Sequence, residues 1–143
     1  MKIQGVIFDF NGTLFWDIPY QESSWDEYLQ KHNIILTNYE KKTYIHGRNG
    51  RDTFEYLFNR QITDQELEEF TEEKEIIYRR ICQESKMELA PGAETFINQL
   101  LSRDFKIAIA TAAGKSNVDF FIEKFDLLKY FKLENIIYND GTS

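Results

Sequence analysis

The stretch GVIFDFNGTLF, residues 5–15, decides which fold this sequence can adopt. An apolar, β-branched run leads into Asp9, and the pair Asn11-Gly12 follows before a second apolar run. Asn-Gly between apolar flanks is the strongest short-range signal for a β-hairpin. The same residues also fit a buried strand that ends in a polar loop. The two interpretations place Asp9 either inside an antiparallel arm or at the rim of a sheet.

Three features favour the strand that ends in a loop. The second hairpin arm would soon meet Asp17 and Pro19, and a proline cannot lie within a central strand. Burying the ionisable Asp9 in a paired arm would be costly without a purpose. The stretches FKIAIAT (105–111) and NIIYN (135–139) are also apolar without alternation, which is typical of parallel strands. We therefore expect a parallel sheet with both faces covered.

Most of the remaining chain shows helical periodicity. Thr63 and Glu66 form a capping box that predicts the start of a long helix. In the helix predicted after Pro91-Gly92, we expect one buried apolar stripe, formed by Phe96, Ile97, Leu100 and Leu101. Amphipathic helices are predicted at 23–33, 50–60, 63–86, 91–104 and 115–131, the last breaking near Asp126.

The order of these segments predicts the domain organisation. One strand is followed by a long helical stretch and then by a helix–strand–helix–strand series. This order predicts an α/β protein with a Rossmann-like parallel sheet core, in which only three strands are present, and an inserted α-helical cap domain. The expected core comprises residues 1–14 and 87–143, and the expected cap comprises residues 15–86.

Composition excludes several classes of function. The chain has 143 residues with 24 acidic residues against 17 Lys and Arg, a formal net charge of -7, which disfavours a nucleic-acid partner. Hydrophobic residues make up 42%, enough for a core, but no apolar run approaches the roughly 20 residues of a membrane span. The single cysteine, Cys82, allows no intrachain disulfide, and we expect it to be buried in a cytoplasmic protein.

Two predicted strands end in residues that suit a ligand site. Asp9 would project a carboxylate from the end of the first strand, and Gly12 would let the backbone turn tightly and expose its amides. The second strand runs into Thr111, then small residues and Gly114, before a helix begins. A hydroxyl, exposed amides and a helix N-terminus together can bind an anion. Each alone is an ordinary β–α turn, but the combination indicates phosphate chemistry.

These residues resemble the haloacid dehalogenase-like superfamily. VIFDFNGTLF is similar to its first motif, hydrophobic residues followed by Asp-x-Asp-Gly-Thr, and IAIATAAG is similar to its second, which ends in Thr or Ser. IHGRNGRDTFEYLF resembles the cap loop of the beta-phosphoglucomutase and phosphoglycolate phosphatase branch. The resemblance covers nearly the whole chain. It implies a hydrolase-type enzyme, an Mg²⁺-dependent phosphatase or phosphomutase that acts on a small phosphorylated metabolite.

The resemblance also implies roles for individual residues of the core. Asp9 would be the nucleophile that forms an aspartyl-phosphate, and Mg²⁺ would be held by Asp9 and by the backbone carbonyl of Asn11. Thr111, the amide of Ala112 and the loop at Gly12 would bind the phosphoryl oxygens.

In the cap, the resemblance assigns Arg48, with His46 or Arg51, to the substrate. The residues themselves leave another interpretation open, in which the two arginines are solvated charges and His46 is a polar residue at a helix end. A helical interaction module is a further alternative that fits the acidic segment 63–86, but it leaves the two strand ends unexplained.

The sequence departs from the family pattern at Asn11, where the family has its acid–base aspartate. A carboxamide cannot exchange protons at neutral pH, and acid–base assistance is worth roughly 10²–10⁴-fold. We expect slow turnover of sugar phosphates, and we expect Asn11→Asp to raise the turnover of alkyl phosphates. The alternative is a catalytically impaired protein that binds a phosphorylated metabolite.

The sequence also stops before the third and fourth motifs of the family, and Lys115 lies too near the second motif to supply the missing lysine. We expect a fragment of a longer chain, roughly 200 residues or more. The first strand would then have a bare edge, through which the protein could self-associate.

Overall fold

The computed structural model describes Lys2 and residues 4–141. Within these residues, β1 (Gly5–Phe8) precedes five helices: α1 (Ile18–Lys31), α2 (Asn38–Tyr44), α3 (Gly50–Phe58), α4 (Asp64–Glu84) and α5 (Ala93–Ser102). The remaining elements are β2 (Lys106–Gly114), α6 (Lys115–Phe125), two short 3-10 turns at Leu127–Lys129 and Leu133–Asn135, and β3 (Ile136–Asn139).

The three strands form one parallel sheet in the order β1-β2-β3. Phe8 lies opposite Ile109, and Ile109 lies opposite Ile136. The predicted parallel α/β core is therefore confirmed, and the hairpin interpretation of residues 5–15 is wrong, because β1 pairs with β2 and not with the segment that follows it. In the described residues, the other edge of β1 has no partner strand.

Among the residues that the structure describes, nothing covers one face of this sheet, so the expectation of two covered faces is wrong. Phe8, Ile109 and Ile136 are buried on one face, whereas Ile7 and Ile137 on the other are 73% and 60% exposed. The crossovers from β1 to β2 and from β2 to β3 step in the same direction along the sheet. Right-handed crossovers in one direction place their helices on the same face, and both α5 and α6 contact β2.

The helix α5 buries a narrower stripe than predicted. Ile97 and Leu100 are buried, as expected, together with Ala93. Phe96 and Leu101 remain 47% and 38% exposed, so their assignment to the buried stripe is wrong. A stripe with spacing i, i+4, i+7 is enough for a helix that packs against a single sheet face.

The chain divides into two compact units. One combines the chain up to Pro19 with the chain from Cys82 onward and contains the sheet; the other is Tyr20–Ile81. Cys82 is buried, as predicted. Among the helices of the described residues, none combines the length and apolar character that a membrane-spanning segment needs.

The Tyr20–Ile81 unit has its own aromatic core. Tyr28, Phe54, Ile62 and Ile77 form the buried cluster, and partly buried apolar residues surround it. The short helix α2 in this unit was not predicted, although Thr37 and Glu40 form a capping box at its start. The same arrangement of Thr63 and Glu66, which was predicted, begins α4: each residue accepts the backbone amide of the other, at 3.0 and 3.1 Å.

The hydroxyl group of Tyr28 gives a first stability prediction. The side chain is fully buried, yet its oxygen has no hydrogen-bond partner within the described residues. Burial, and secondarily the charge of Glu73, raises the pKa of Tyr28 above its ordinary value. We expect Tyr28→Phe to raise the free energy of unfolding by about 1 kcal/mol, because it removes a buried, unsatisfied donor while keeping the ring. Urea denaturation measures the change.

Tyr56→Phe is the matched control, since the hydroxyl of Tyr56 donates to Glu40 at 2.8 Å and its removal should lower stability. A loss of stability in Tyr28→Phe comparable to that in the control would contradict the prediction.

Glu66 gives a prediction for the pH dependence of stability. The hydrogen bond from Arg60, followed by the backbone amide of Thr63, lowers the pKa of Glu66 from its ordinary 4.5 to about 2. A lowered pKa stabilises the folded state above the unfolded-state value and loses that contribution as the pH falls through the folded-state value. Glu66→Gln should therefore be less stable than wild type at pH 6, with the difference vanishing between about pH 4.5 and 2.

Chemical denaturation at a series of pH values measures this difference. Glutamine preserves the capping geometry, so the variant tests the charge alone. Glu68→Gln, on an exposed residue of the same helix, controls for the loss of one negative charge. A difference between wild type and Glu66→Gln that stays constant down to pH 2 would refute the prediction.

Candidate active site

The loop after β1 is a tight turn around one carbonyl group. The carbonyl oxygen of Phe10 accepts hydrogen bonds from the amides of Thr13, Leu14 and Phe15, at 3.0, 2.9 and 3.1 Å. Gly12 adopts a φ of 74°, in the left-handed region where a side chain would be strained. The Asn-Gly pair therefore forms a turn, as its composition predicts, but the turn closes a loop at the end of a parallel strand.

Two phenylalanines anchor this loop to the core. Phe10 and Phe15 are 1% and 2% exposed. The ring of Phe10 lies 4.7 Å from that of Phe121, and the ring of Phe15 lies 4.8 Å from that of Phe125, both on α6. Such aromatic contacts add to the burial of the rings themselves. The apolar residues of the motif thus fix the position of the polar residues between them.

Asp9 follows β1 directly and is exposed. One carboxylate oxygen accepts the amide of Phe10 at 2.9 Å, and the other accepts the hydroxyl of Thr13 at 3.3 Å. These contacts hold the carboxylate at the carboxyl end of the strand, where open α/β sheets bind their ligands. The predicted position of Asp9 at the rim of the sheet is what the structure shows; its role as a nucleophile stays a prediction.

The structure brings Asn11 and Thr111 together. The hydroxyl of Thr111 donates to Oδ1 of Asn11 at 3.2 Å and accepts the amide of Ala113 at 3.1 Å. Ala112, which lies between Thr111 and Ala113 in β2, is exposed. The strand continues to Gly114 with an irregular register after Ala110, so it ends later than the predicted residue 111. The two predicted motif ends are therefore neighbours.

Asp17 is a member of this cluster that sequence reasoning missed. It is only 1% exposed, and its Oδ2 accepts the Asn11 side-chain amide at 2.8 Å while its Oδ1 accepts the Gly12 backbone amide at 3.0 Å. A buried carboxyl group needs such partners. In the sequence analysis, Asp17 counted only as evidence against a second strand. An acidic residue within the apolar run LFWDI is nevertheless a signal that the carboxyl group has a specific partner.

The described residues contain no group of three or more His, Cys, Asp or Glu side chains that could hold a metal ion. Mg²⁺ does not require such a group, since it usually keeps several waters and binds one or two carboxylates together with substrate phosphate. Asp9 is exposed, and none of the loop's backbone hydrogen bonds ends on the Asn11 carbonyl. The oxygen atoms of these two residues are compatible with Mg²⁺ binding.

The residues predicted to face the substrate from the cap lie in the Tyr20–Ile81 unit. Arg48 is exposed and His46 half-buried, in the turn between α2 and α3. Arg51 instead binds the Ile62 carbonyl at 2.6 Å and pairs with Asp64, so it joins the start of α3 to the start of α4. These contacts favour a structural role for Arg51 over contact with the substrate.

Lys115 is the other basic residue that the sequence analysis considered. It pairs with Asp119 at 2.6 Å one turn further along α6, and this hydrogen bond raises the pKa of Lys115. The pair is exposed to solvent, so Lys115 forms a surface ion pair within its own helix.

A surface depression lies at the opposite end of the sheet. Lys2 and Gln4 line it, with Arg103, Asp104, Phe105 and Lys106, all just before or at the start of β1 and β2. Ligands of open α/β folds bind at the carboxyl ends of the strands. The candidate site is therefore the cluster of Asp9, Asn11 and Thr111.

This architecture defines the class of protein: an α/β sheet core with a helical insertion and a polar cluster at the carboxyl ends of adjacent parallel strands. The profile of the haloacid dehalogenase-like hydrolase family matches residues 6–140. The chain belongs to the haloacid dehalogenase-like hydrolase family, as predicted from its motifs. A search among curated proteins found no match.

Solved structures with the same fold include a HAD hydrolase, family IA, variant 3, from Entamoeba histolytica HM-1:IMSS, with TM-score 0.91 and 33% identity over 98% of this chain and 63% of that chain. A hydrolase from Pseudomonas syringae matches with TM-score 0.73 and 26% identity, over 99% and 63% of the two chains.

A mutant of CbbY from Rhodobacter sphaeroides in complex with xylulose-(1,5)bisphosphate matches with TM-score 0.76 and 17% identity, over 99% of this chain and 66% of that chain. At that identity the match shows the fold alone. This chain therefore spans less than two thirds of the length of each of the three proteins.

Proposed function

We propose that this protein is an Mg²⁺-dependent phosphatase or phosphomutase that acts on a small phosphorylated metabolite. The observation that carries the proposal is the exposed carboxylate of Asp9 at the carboxyl end of β1, in the loop whose Asn11 is hydrogen-bonded to Thr111. Membership of a hydrolase family supports the reaction class.

Asp9 would act as the nucleophile. An oxygen of its carboxylate attacks phosphorus, the bond from phosphorus to the substrate oxygen breaks, and an aspartyl-phosphate forms. Attack of water on this phosphorus then releases phosphate and restores the carboxylate. In a phosphomutase, a hydroxyl group of the sugar takes the place of water. Thr111, the amide of Ala112 and the loop at Gly12 would hold the phosphoryl oxygens.

Bound Mg²⁺, held by Asp9 and the Asn11 carbonyl, would neutralise negative charge on the phosphoryl group. Asn11 cannot supply the proton that the leaving oxygen needs. Because acid assistance is worth roughly 10²–10⁴-fold, substrates with a weakly basic leaving oxygen, such as aryl phosphates, should react faster than alkyl phosphates.

We propose that the Tyr20–Ile81 unit serves as the cap and that Arg48 and His46 contact the substrate. Arg48 is exposed and has no side-chain hydrogen bond or ion pair within the described residues, so its guanidinium is free for an anion. The CbbY structure from Rhodobacter sphaeroides contains xylulose-(1,5)bisphosphate, which makes sugar phosphates the first substrates to assay. A cytoplasmic location is part of the proposal, since the lone Cys82 suits a reducing compartment.

A second candidate function is binding of a phosphorylated metabolite without turnover. Both ends of the Asn11 carboxamide are engaged by protein groups, Asp17 on one side and Thr111 on the other. This favours a structural use of the residue that replaces the family's acid–base aspartate. Only a competent nucleophile forms an adduct with a phosphate mimic, so trapping separates the two functions.

The reaction proposal predicts the effect of Asp9→Asn. With Mg²⁺ and an aryl phosphate, we expect this variant to lose activity by roughly 10⁴-fold, because the nucleophile is removed. With beryllium fluoride and Mg²⁺, the wild type should show a protein-bound fluoride signal by ¹⁹F NMR that Asp9→Asn lacks.

Asp104→Asn is the control, since Asp104 is exposed at the other end of the sheet. Full activity in Asp9→Asn would overturn the assignment of the nucleophile. Binding of phosphate by a wild-type protein that forms no adduct would establish the second function instead.

We also propose that the bare sheet face and the free edge of β1 mediate self-association. An uncovered apolar face and an unpaired strand edge both favour association with another chain. We expect the wild type to dimerise with increasing concentration in sedimentation velocity and Ile7→Lys to shift it to monomer. Ile35→Lys, at a residue 96% exposed in the other unit, should have no effect. A wild type that stays monomeric at all concentrations would refute this proposal.

A further inference from the structure

A chain of hydrogen bonds runs through the candidate site from Asp17 to Ala113. The buried carboxyl group of Asp17 accepts the side-chain amide of Asn11 at 2.8 Å. The Asn11 carbonyl oxygen accepts the hydroxyl of Thr111 at 3.2 Å, and the hydroxyl oxygen accepts the amide of Ala113 at 3.1 Å. Every bond in this chain points the same way, with the donor on the β2 side and the final acceptor at Asp17.

The direction of the chain is set at Asp17. Both carboxyl oxygens of Asp17 accept, one from the Asn11 side-chain amide and one from the Gly12 backbone amide, so Asp17 faces the NH₂ end of the Asn11 carboxamide. With the NH₂ end held, the carbonyl oxygen must face Thr111, and the hydroxyl of Thr111 must then donate to it. Without a ligand, the hydroxyl proton is thereby directed to Asn11 and the hydroxyl oxygen accepts from Ala113. To donate to a phosphoryl oxygen, the hydroxyl of Thr111 would have to rotate away from Asn11, since it carries a single proton.

We infer that Asp17 is a positioning residue of this site: it fixes the orientation of the Asn11 carboxamide and, through it, the hydroxyl of Thr111. Asn11 and Asp17 form one unit that joins the loop after β1 to the end of β2. Asn11 is in this view the neutral partner that a buried carboxylate at position 17 requires. The geometry stands by itself; the consequence for turnover rests on the proposed function.

The contact with Asp17 disfavours the substitution Asn11→Asp. Substitution of that residue alone places a carboxyl oxygen where the amide nitrogen now lies, 2.8 Å from an oxygen of Asp17. Two carboxylates in contact repel each other and cannot both stay ionised at low cost. In contrast to the expectation from the family motif, the single variant should not raise turnover, because it breaks the bond that orients residue 11.

The exchange of both residues can restore the bonds that link positions 11, 12, 17 and 111. In Asn11→Asp/Asp17→Asn, the new amide at position 17 can donate to the new carboxylate at position 11 and still accept the Gly12 backbone amide. The second oxygen at position 11 still accepts the hydroxyl of Thr111. Net charge is unchanged. Each single variant should lose stability, and the double variant should regain it. Side-chain packing alone does not predict this pattern.

A double-mutant cycle tests the inference. We expect Asn11→Asp and Asp17→Asn each to raise the equilibrium constant for unfolding by roughly ten- to a hundredfold, the cost of a buried group left without its partner. The double variant should return to within about threefold of wild type. Asp104→Asn, a carboxyl-to-amide change at an exposed residue of the same unit, should change nothing.

NMR gives a direct readout of the orientation. The side-chain amide protons of Asn11 should exchange slowly with water in wild type, because one is donated to a buried carboxyl group, and rapidly in Asp17→Ala. Slow exchange in Asp17→Ala would show that another group orients Asn11. Additive effects of the two substitutions on unfolding would overturn the inference.

In the phosphatase assay, Asp17→Asn should lower kcat, and the double variant should regain it, while Asn11→Ala/Asp17→Asn should not. If the wild type has no phosphatase activity, the proposed function fails, but the unfolding cycle and the exchange measurement still decide the role of Asp17. Activity in the double variant no higher than in Asp17→Asn, together with active wild type, would refute the positioning role.

Discussion

The hydrogen bond between Thr111 and Asn11 joins two groups that lie 100 residues apart in the sequence. It exists because β1 and β2 pair in parallel, with Phe8 opposite Ile109, so that both strands end at the same edge. A parallel pair always needs a long connection, and here the connection contains a unit with its own core. Extending a crossover from about 30 residues to about 100 is fewer than two doublings, which adds roughly 1 kcal/mol of loop-closure cost. The insertion therefore adds little to the free-energy cost of bringing the two strand ends together.

The same topology explains the bare sheet face. Successive right-handed crossovers in one direction cover one side of the sheet, and a reversal of direction is needed to cover the other. The order β1-β2-β3 contains no reversal within the described residues. The apolar character of β1 and β3 on both faces was correctly seen in the sequence. Strand composition shows that both faces are apolar, but only the order of the strands determines which face receives a helix.

Sequence reasoning reached the family, the strands and the end of the sheet that carries the site. Asp9 and Thr111 were found because each ends an apolar run, and that pattern is visible in one dimension. The start of α4 at Thr63 was found from its capping box, and Thr37 carries the same signal without a strong apolar stripe after it. Asp17 was out of reach for a different reason.

Asp17 meets Asn11 only because the intervening loop closes tightly. Three consecutive amides turn in to the Phe10 carbonyl, and this brings position 17 back beside positions 11 and 12. The Asn-Gly pair predicts a turn, but neither propensity nor periodicity shows that this turn brings position 17 beside positions 11 and 12. The assignment of Phe96 and Leu101 to the buried stripe of α5 was wrong for a related reason. The width of a buried stripe depends on what the helix packs against.

The pairing of Asn11 with Asp17 also bears on how a departure from a family motif should be interpreted. Read alone, an amide in place of a carboxyl group is a loss of acid–base function. Beside a carboxyl group that is 1% exposed, the amide is the partner that makes the burial tolerable, since it donates where a second carboxylate would repel. In the proposed function, carboxyl groups at positions 9, 11 and 17 together would also crowd negative charge where the phosphate would bind. The residue at position 11 therefore cannot be judged without the residue at position 17, and the two together are the unit on which substitution acts.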